Sequence, residues 1–118
     1  MADAGLFIGW GQVVRNREKR ALDVFNESMA YYASLEQDGK VESWEVVLLE
    51  PHGGDLAGFV LLRGSVDQMH AVRNEEEFQR RTTRADLIVE NLGVVSAALG
   101  QGLADGMAIY QDEIAAVS

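Results

Sequence analysis

Two apolar runs, Val46-Val47-Leu48-Leu49 and Phe59-Val60-Leu61-Leu62, limit what this chain can fold into more than any other feature. They are joined by Glu50-Pro51-His52-Gly53-Gly54-Asp55. Each run is short, partly β-branched or aromatic, and bounded by turn formers, so the pair reads as the strands of one hairpin. A hairpin wetted on one face alternates apolar with polar residues, and neither run does. Both faces are therefore expected to be covered, and the rest of the sequence must supply the second cover.

Residues 6–14 form the first expected strand. Leu6, Ile8, Trp10, Gln12 and Val14 share one face, and Phe7, Gly9, Gly11 and Val13 the other, where the two glycines permit a close approach. Residues 15–38 follow as a helix, with Leu22, Phe25, Met29, Tyr32 and Glu36 at three-four spacing and Ala21, Val24, Tyr31 and Leu35 widening the stripe. Asn16 suits its N-cap and Gly39 its C-terminal stop. Arg15, Arg17, Lys19 and Arg20 crowd its start, where the helix dipole prefers anions. They either pair with acidic groups elsewhere or help hold a bound anion.

After the hairpin, Ser65-Val66-Asp67-Gln68 is a capping-box pattern that opens a short helix to about Arg73, with Val66, Met69 and Val72 inward. Asn74-Glu75-Glu76-Glu77 repeats the pattern, so a second helical piece anchored by Phe78 should follow at an angle. Residues 87–99 regain strand character, with a bend near Gly93. Gly100-Gln101-Gly102 reads as a breaker before an amphipathic helix over 103–117, striped by Leu103, Met107, Tyr110, Ile114 and Val117.

The order strand, helix, hairpin, helix, strand is that of a ferredoxin-like, four-stranded antiparallel sheet (βαββαβ) in the α+β class, with two helices on one face and an extra helix at the C-terminus. A chain of 118 residues makes this one domain, spanning 1–118. One helix cannot cover the second face of four strands, whereas the sheet of a second copy can.

The segment 65–95, through Ser65, Met69, Glu77-Phe78, Arg84 and the strand over 87–95, resembles the second half of the dimeric α+β barrel proteins, and the glycine-bearing first strand and long first helix fit the same superfamily. The resemblance implies a homodimer whose sheets face each other, with a pocket between each sheet and its own helices. It also implies a range of activities: cofactor-free monooxygenases, polyketide cyclases, isomerases, haem enzymes and members without known activity. The C-terminal helix is an addition that would embrace the partner or shield a sheet edge.

Composition narrows the function classes. Ten Lys and Arg stand against nineteen Asp and Glu, a net charge of -9, which lacks the positive footprint of sequence-independent nucleic-acid binding. There is no cysteine, so disulfides, thiolate zinc sites and cysteine nucleophiles are all excluded. No basic segment leads into a long apolar core and no window nears about 18 apolar residues, so neither a signal peptide nor a membrane contact is expected, and a cytoplasmic location fits.

His52, beside Glu50 and Asp55, reads as turn chemistry rather than a metal site. His70 follows the inward Met69; it is the one histidine available as a general base and, by the resemblance, the one haem candidate, although no cofactor is expected. Gly9-Trp10-Gly11 lies inside a strand and is no phosphate loop. What remains is aromatic. A small apolar or aromatic ligand would be walled by Trp10 or Trp44 with Tyr32, Phe59 and Met69, with polar specificity from His70, Arg63 or Arg73. Three functions stay open: a small-molecule-binding homodimer, a cofactor-free monooxygenase or polyketide cyclase-like enzyme, and a non-catalytic dimerisation module. A cavity between sheet and helices would favour the first two, a filled core the third.

Overall fold

The computed structural model describes residues 2–118, and the eight elements come in the expected order. β1 (Ala4–Trp10), β2 (Ser43–Leu48), β3 (Gly58–Gly64) and β4 (Gly93–Ala98) form one sheet in the order β2-β3-β1-β4, every neighbouring pair antiparallel. α1 (Glu18–Gln37) and α2 (Val66–Asn74) lie on one face, and α3 (Glu76–Asp86) leans on α1. α4 (Gly100–Val117) follows β4. This is the ferredoxin-like arrangement.

Register decides which side chains meet. Leu6 stands opposite Leu62 and Ile8 opposite Val60, and these four, with Tyr32, Leu35, Met69, Val72 and Phe78, make the core between sheet and helices. Trp44 pairs with Leu62 and Trp10 with Gly58, so both tryptophans face the helices. The alternate set, Phe7, Val47, Phe59, Leu61 and Val95, lies on the other face, where no helix covers it. Phe7 and Phe59 stack there with ring centroids 5.0 Å apart. The groove expected at Gly9 is filled, since a Cβ on Gly9 would stand 2.6 Å from the Phe7 ring and 3.0 Å from Leu56.

Local chemistry moves several boundaries. The first strand ends at Trp10 rather than Val14, because the Gly11 N–H donates to the Glu90 carbonyl and only Val13 keeps a bridge, to Val89. Asn16 does not cap α1. It adopts a left-handed φ of 71°, its N–H donates to the Glu18 carboxylate, and Arg17 occupies the N-cap without a side-chain bond. Gly39 stops the helix as expected, at φ 72°. The buried residues of α1, Ala21, Val24, Tyr32 and Leu35, all fall within the expected stripe, but its Leu22 is exposed. The capping box at Ser65 is present, Ser65 Oγ accepting from Gln68 N and Gln68 Oε1 from Ser65 N. Met69 and Val72 are buried, but Val66 is exposed. Glu75 rather than Asn74 starts α3, in an extended conformation that sets the angle between the two helices.

At the C-terminal end, residues 87–92 are not strand: Ile88 packs against α1, and β4 begins at Gly93. The glycine pair at 100 and 102 does not delay α4 but starts it. A side chain at Gly100 would meet the Ala2 carbonyl at 2.9 Å, and one at Gly102 would collide with the Asp3 carbonyl. α4 therefore turns off β4 tight against the chain's beginning. It buries none of its own residues, and its main contact with the sheet is at β4.

Candidate functional site

The bulky side chains at the far end of the covered face, away from α4, do not close against each other. Between α1, the ends of β1, β2 and β3, and the segment 85–92 lies a cavity of about 360 Å³. This is within the usual size of small-molecule sites. Its floor is Ile8, Trp10, Leu48 and Val60 of the sheet; its roof is Ala21, Leu22, Val24, Phe25, Ser28, Met29 and Tyr32 of α1; Ala85, Ile88, Val89 and Leu92 close one side. The α1 residues arrive there because 21, 24, 25, 28, 29 and 32 share one helical face.

The walls are almost wholly apolar. Trp10 meets Phe25 edge-on at 6.2 Å, and behind the cavity Tyr32 tilts against Trp44 at 6.0 Å. The lining residues that carry polar groups are Glu18, near the entrance, Ser28, Tyr32 and Trp10. Burial raises the Tyr32 phenol well above its ordinary range, with the neighbouring Tyr31 adding to the effect. Tyr32 thus stays protonated at physiological pH and is not available as a base. Exposed Leu22 and Leu48 rim the opening.

Of the eight residues expected at a ligand site, Trp10 and Tyr32 line this cavity. Trp44 is behind Tyr32, in the second layer. Met69 faces inward as expected but is packed into the core, 3% exposed. Phe59 and Arg63 are on the open face of the sheet, where Arg63 pairs with Glu45. His70 is exposed on α2, and Arg73, also exposed, donates to the Val94 carbonyl. These last four are brought to no common site. Sequence reasoning missed Phe25, Met29, Ile88 and Leu92 as cavity walls. Phe25 and Met29 belonged to the α1 stripe, which marks an inward face without saying whether that face closes.

Neither histidine offers chemistry to the cavity. His52 Nδ1 accepts from Gly54 N at 3.2 Å, leaving Nε2–H to donate to the Leu56 carbonyl at 2.7 Å, and so it staples the β2–β3 loop. No group of three or more potential ligands able to hold a metal ion occurs among the described residues. No described helix is long and apolar enough to cross a membrane. The arginines of α3 are paired: Arg80 with Glu76, Arg81 with Glu77, and Arg81 and Arg84 with Glu27. Arg15, Arg17, Lys19 and Arg20 make no ion pair among the described residues.

No known family's sequence profile matches the chain, and no curated protein matches it. Solved structures do. A dimeric protein of unknown function and ferredoxin-like fold from Bacteroides fragilis superposes with a TM-score of 0.60 at 13% identity, over 81% of this chain and 96% of that one. SnoaB, a cofactor-independent oxygenase from Streptomyces nogalater, gives 0.53 at 15% identity, over 84% and 95%. A candidate antibiotic biosynthesis monooxygenase from Chloroflexus aurantiacus gives 0.53 at 13% identity, over 82% and 93%. What this chain shares with them is the ferredoxin-like fold.

Proposed function

We propose that the protein is a homodimer that binds a small apolar or aromatic molecule in the cavity between its sheet and α1. The cavity itself carries this reading: about 360 Å³ of space, floored by Trp10 and roofed by Phe25 and Tyr32, where a purely structural domain of this size would be packed shut. Apolar enclosure gives affinity, while the Tyr32 hydroxyl, the Trp10 indole and Ser28 supply the few polar contacts that orient a ligand. The homodimer follows from the open sheet face, which displays Phe7, Val47, Phe59, Leu61 and Val95 together. The dimeric Bacteroides fragilis protein of the same fold agrees with it.

The probe N-phenyl-1-naphthylamine tests the cavity in a Trp44→Phe background, where Trp10 is the sole tryptophan. Probe emission should rise and Trp10 emission fall together, and Ser28→Phe, which puts a ring into the space, should abolish both while far-ultraviolet circular dichroism is unchanged. No response to the probe, or a response that survives Ser28→Phe, contradicts a ligand site there.

A second reading, a cofactor-free oxygenase, draws on the two oxygenase-like structural neighbours. The cavity holds no acid–base pair, so such chemistry would rest on desolvation and on the substrate's own ease of ionisation. Oxygen uptake with polycyclic phenols separates the two: steady consumption abolished by Ser28→Phe favours the enzyme, and binding without consumption favours the carrier.

A further inference from the structure

α4 is the one long element with no buried residue, yet its sequence is patterned for burial. Leu103, Met107, Tyr110, Ile114 and Val117 follow a strict four-three-four-three spacing that confines them to about 80° of the helix circumference. That is narrower than the stripe a helix lays on a globular surface, and it has the width of a seam between two helices. Asp105 and Asp112 stand on the opposite side, and the positions beside the seam are Ala104, Gly106, Gln111 and Glu113. Gly106 is the second observation. Inside a helix it costs about 1 kcal/mol relative to alanine. Outside its own stretch of helix, no described residue lies within 4 Å of where its side chain would be, so no contact among the described residues calls for it. A second helix passing close by does.

Dimensions agree. The radius of gyration is 16.2 Å, against about 13.5 Å for a compact domain of this length. The longest axis is 52 Å, because α4, about 27 Å long, projects from the body. The open sheet face, four strands of six or seven residues, has a footprint of about 400 Å². A stable interface takes about 800 Å² from each partner. A contact beyond the sheet would bring the interface toward that size.

We propose that α4 pairs with α4 of a second copy, the two seams interlocking around Tyr110 and the glycine at 106 admitting the partner helix. This rests on the homodimer reading above and adds a second contact to it. Two heptads are too short to hold a coiled coil alone, so the pairing depends on the sheets being joined as well.

The chain has no cysteine, so Tyr110→Cys carries a single thiol. Mild oxidation should yield a disulfide-linked dimer, and Ile114→Asp in the same chain should prevent it. Met107→Asp should weaken the dimer by about tenfold in dissociation constant, by sedimentation. A protein that is dimeric by light scattering, gives no cross-link at position 110 and keeps its dissociation constant when residues 103–118 are deleted overturns the helix pairing and leaves the homodimer standing. A protein that is monomeric at all concentrations overturns both.

Discussion

The two faces of the sheet are built from the same strands and meet opposite fates. On the covered face Leu62 and Leu6 are at most 1% exposed, shut under α1 and α2. On the open face Phe7, Phe59 and Leu61 are only half-covered, and Val95 is 56% exposed. Strand periodicity assigns alternate residues to opposite faces, so a strand wetted on one side should carry polar residues there. These carry phenylalanine, leucine and valine, beside the Glu45–Arg63 ion pair. The chain closes one face with its own helices and composes the other as though something closes it too.

That contrast sets the size of each mutational effect. Leu62→Ala removes a fully enclosed side chain from the covered face and should cost about 2–5 kcal/mol in urea unfolding, whatever the oligomeric state. Glu45→Ala strands Arg63 on the open face. If a second copy covers that face, the loss should reach about 2 kcal/mol or more and should depend on protein concentration, since an interfacial cation loses its partner. On a face open to water the same change costs less than about 1 kcal/mol. Ser65→Ala breaks the capping box of α2, which holds the covered layer, for about 1 kcal/mol.

The smallest expected effect sharpens the covered side. The Tyr31 hydroxyl is enclosed with no hydrogen-bond partner among the described residues, and its phenol is pushed up to about 12 by burial first and by Glu75 and Glu77 next, with Arg81 over its ring opposing. The folded state therefore keeps this proton after the unfolded chain has lost it at about 10. Between those values the folded protein binds more protons, so stability contributed by neutral Tyr31 is complete below about pH 10 and drains away as pH rises toward 12. Tyr31→Phe should be near neutral at pH 7, because no hydrogen bond is lost, and should flatten that alkaline decline.

The element order, the hairpin, the capping box and the inward placement of Met69, Val72 and Phe78 were legible because each has a local cause: an apolar run, a turn, a cap, a helical spacing. The failures came where distant segments decide. Gln12 and Val14 look like strand, but residues 88–90 take over the hydrogen bonds of 11–14. Gly100 and Gly102 look like a break, but they are small because the chain's beginning lies against them. Of the residues expected to wall a ligand, Trp10 and Tyr32 line the cavity, whereas Phe59 and Arg63 lie on the other face because register could not be fixed beforehand. That the space beside Trp10 stays open was not readable at all, since a cavity is the absence of a contact.

The most direct test of a second copy on the open face is sedimentation equilibrium of the full chain and of Leu61→Asp, whose side chain leaves the covered core untouched. The wild type should sediment as a dimer at micromolar concentration and Leu61→Asp as a folded monomer with unchanged circular dichroism. A wild type that sediments at 12.9 kDa, or a Leu61→Asp variant as dimeric as the wild type, would contradict it.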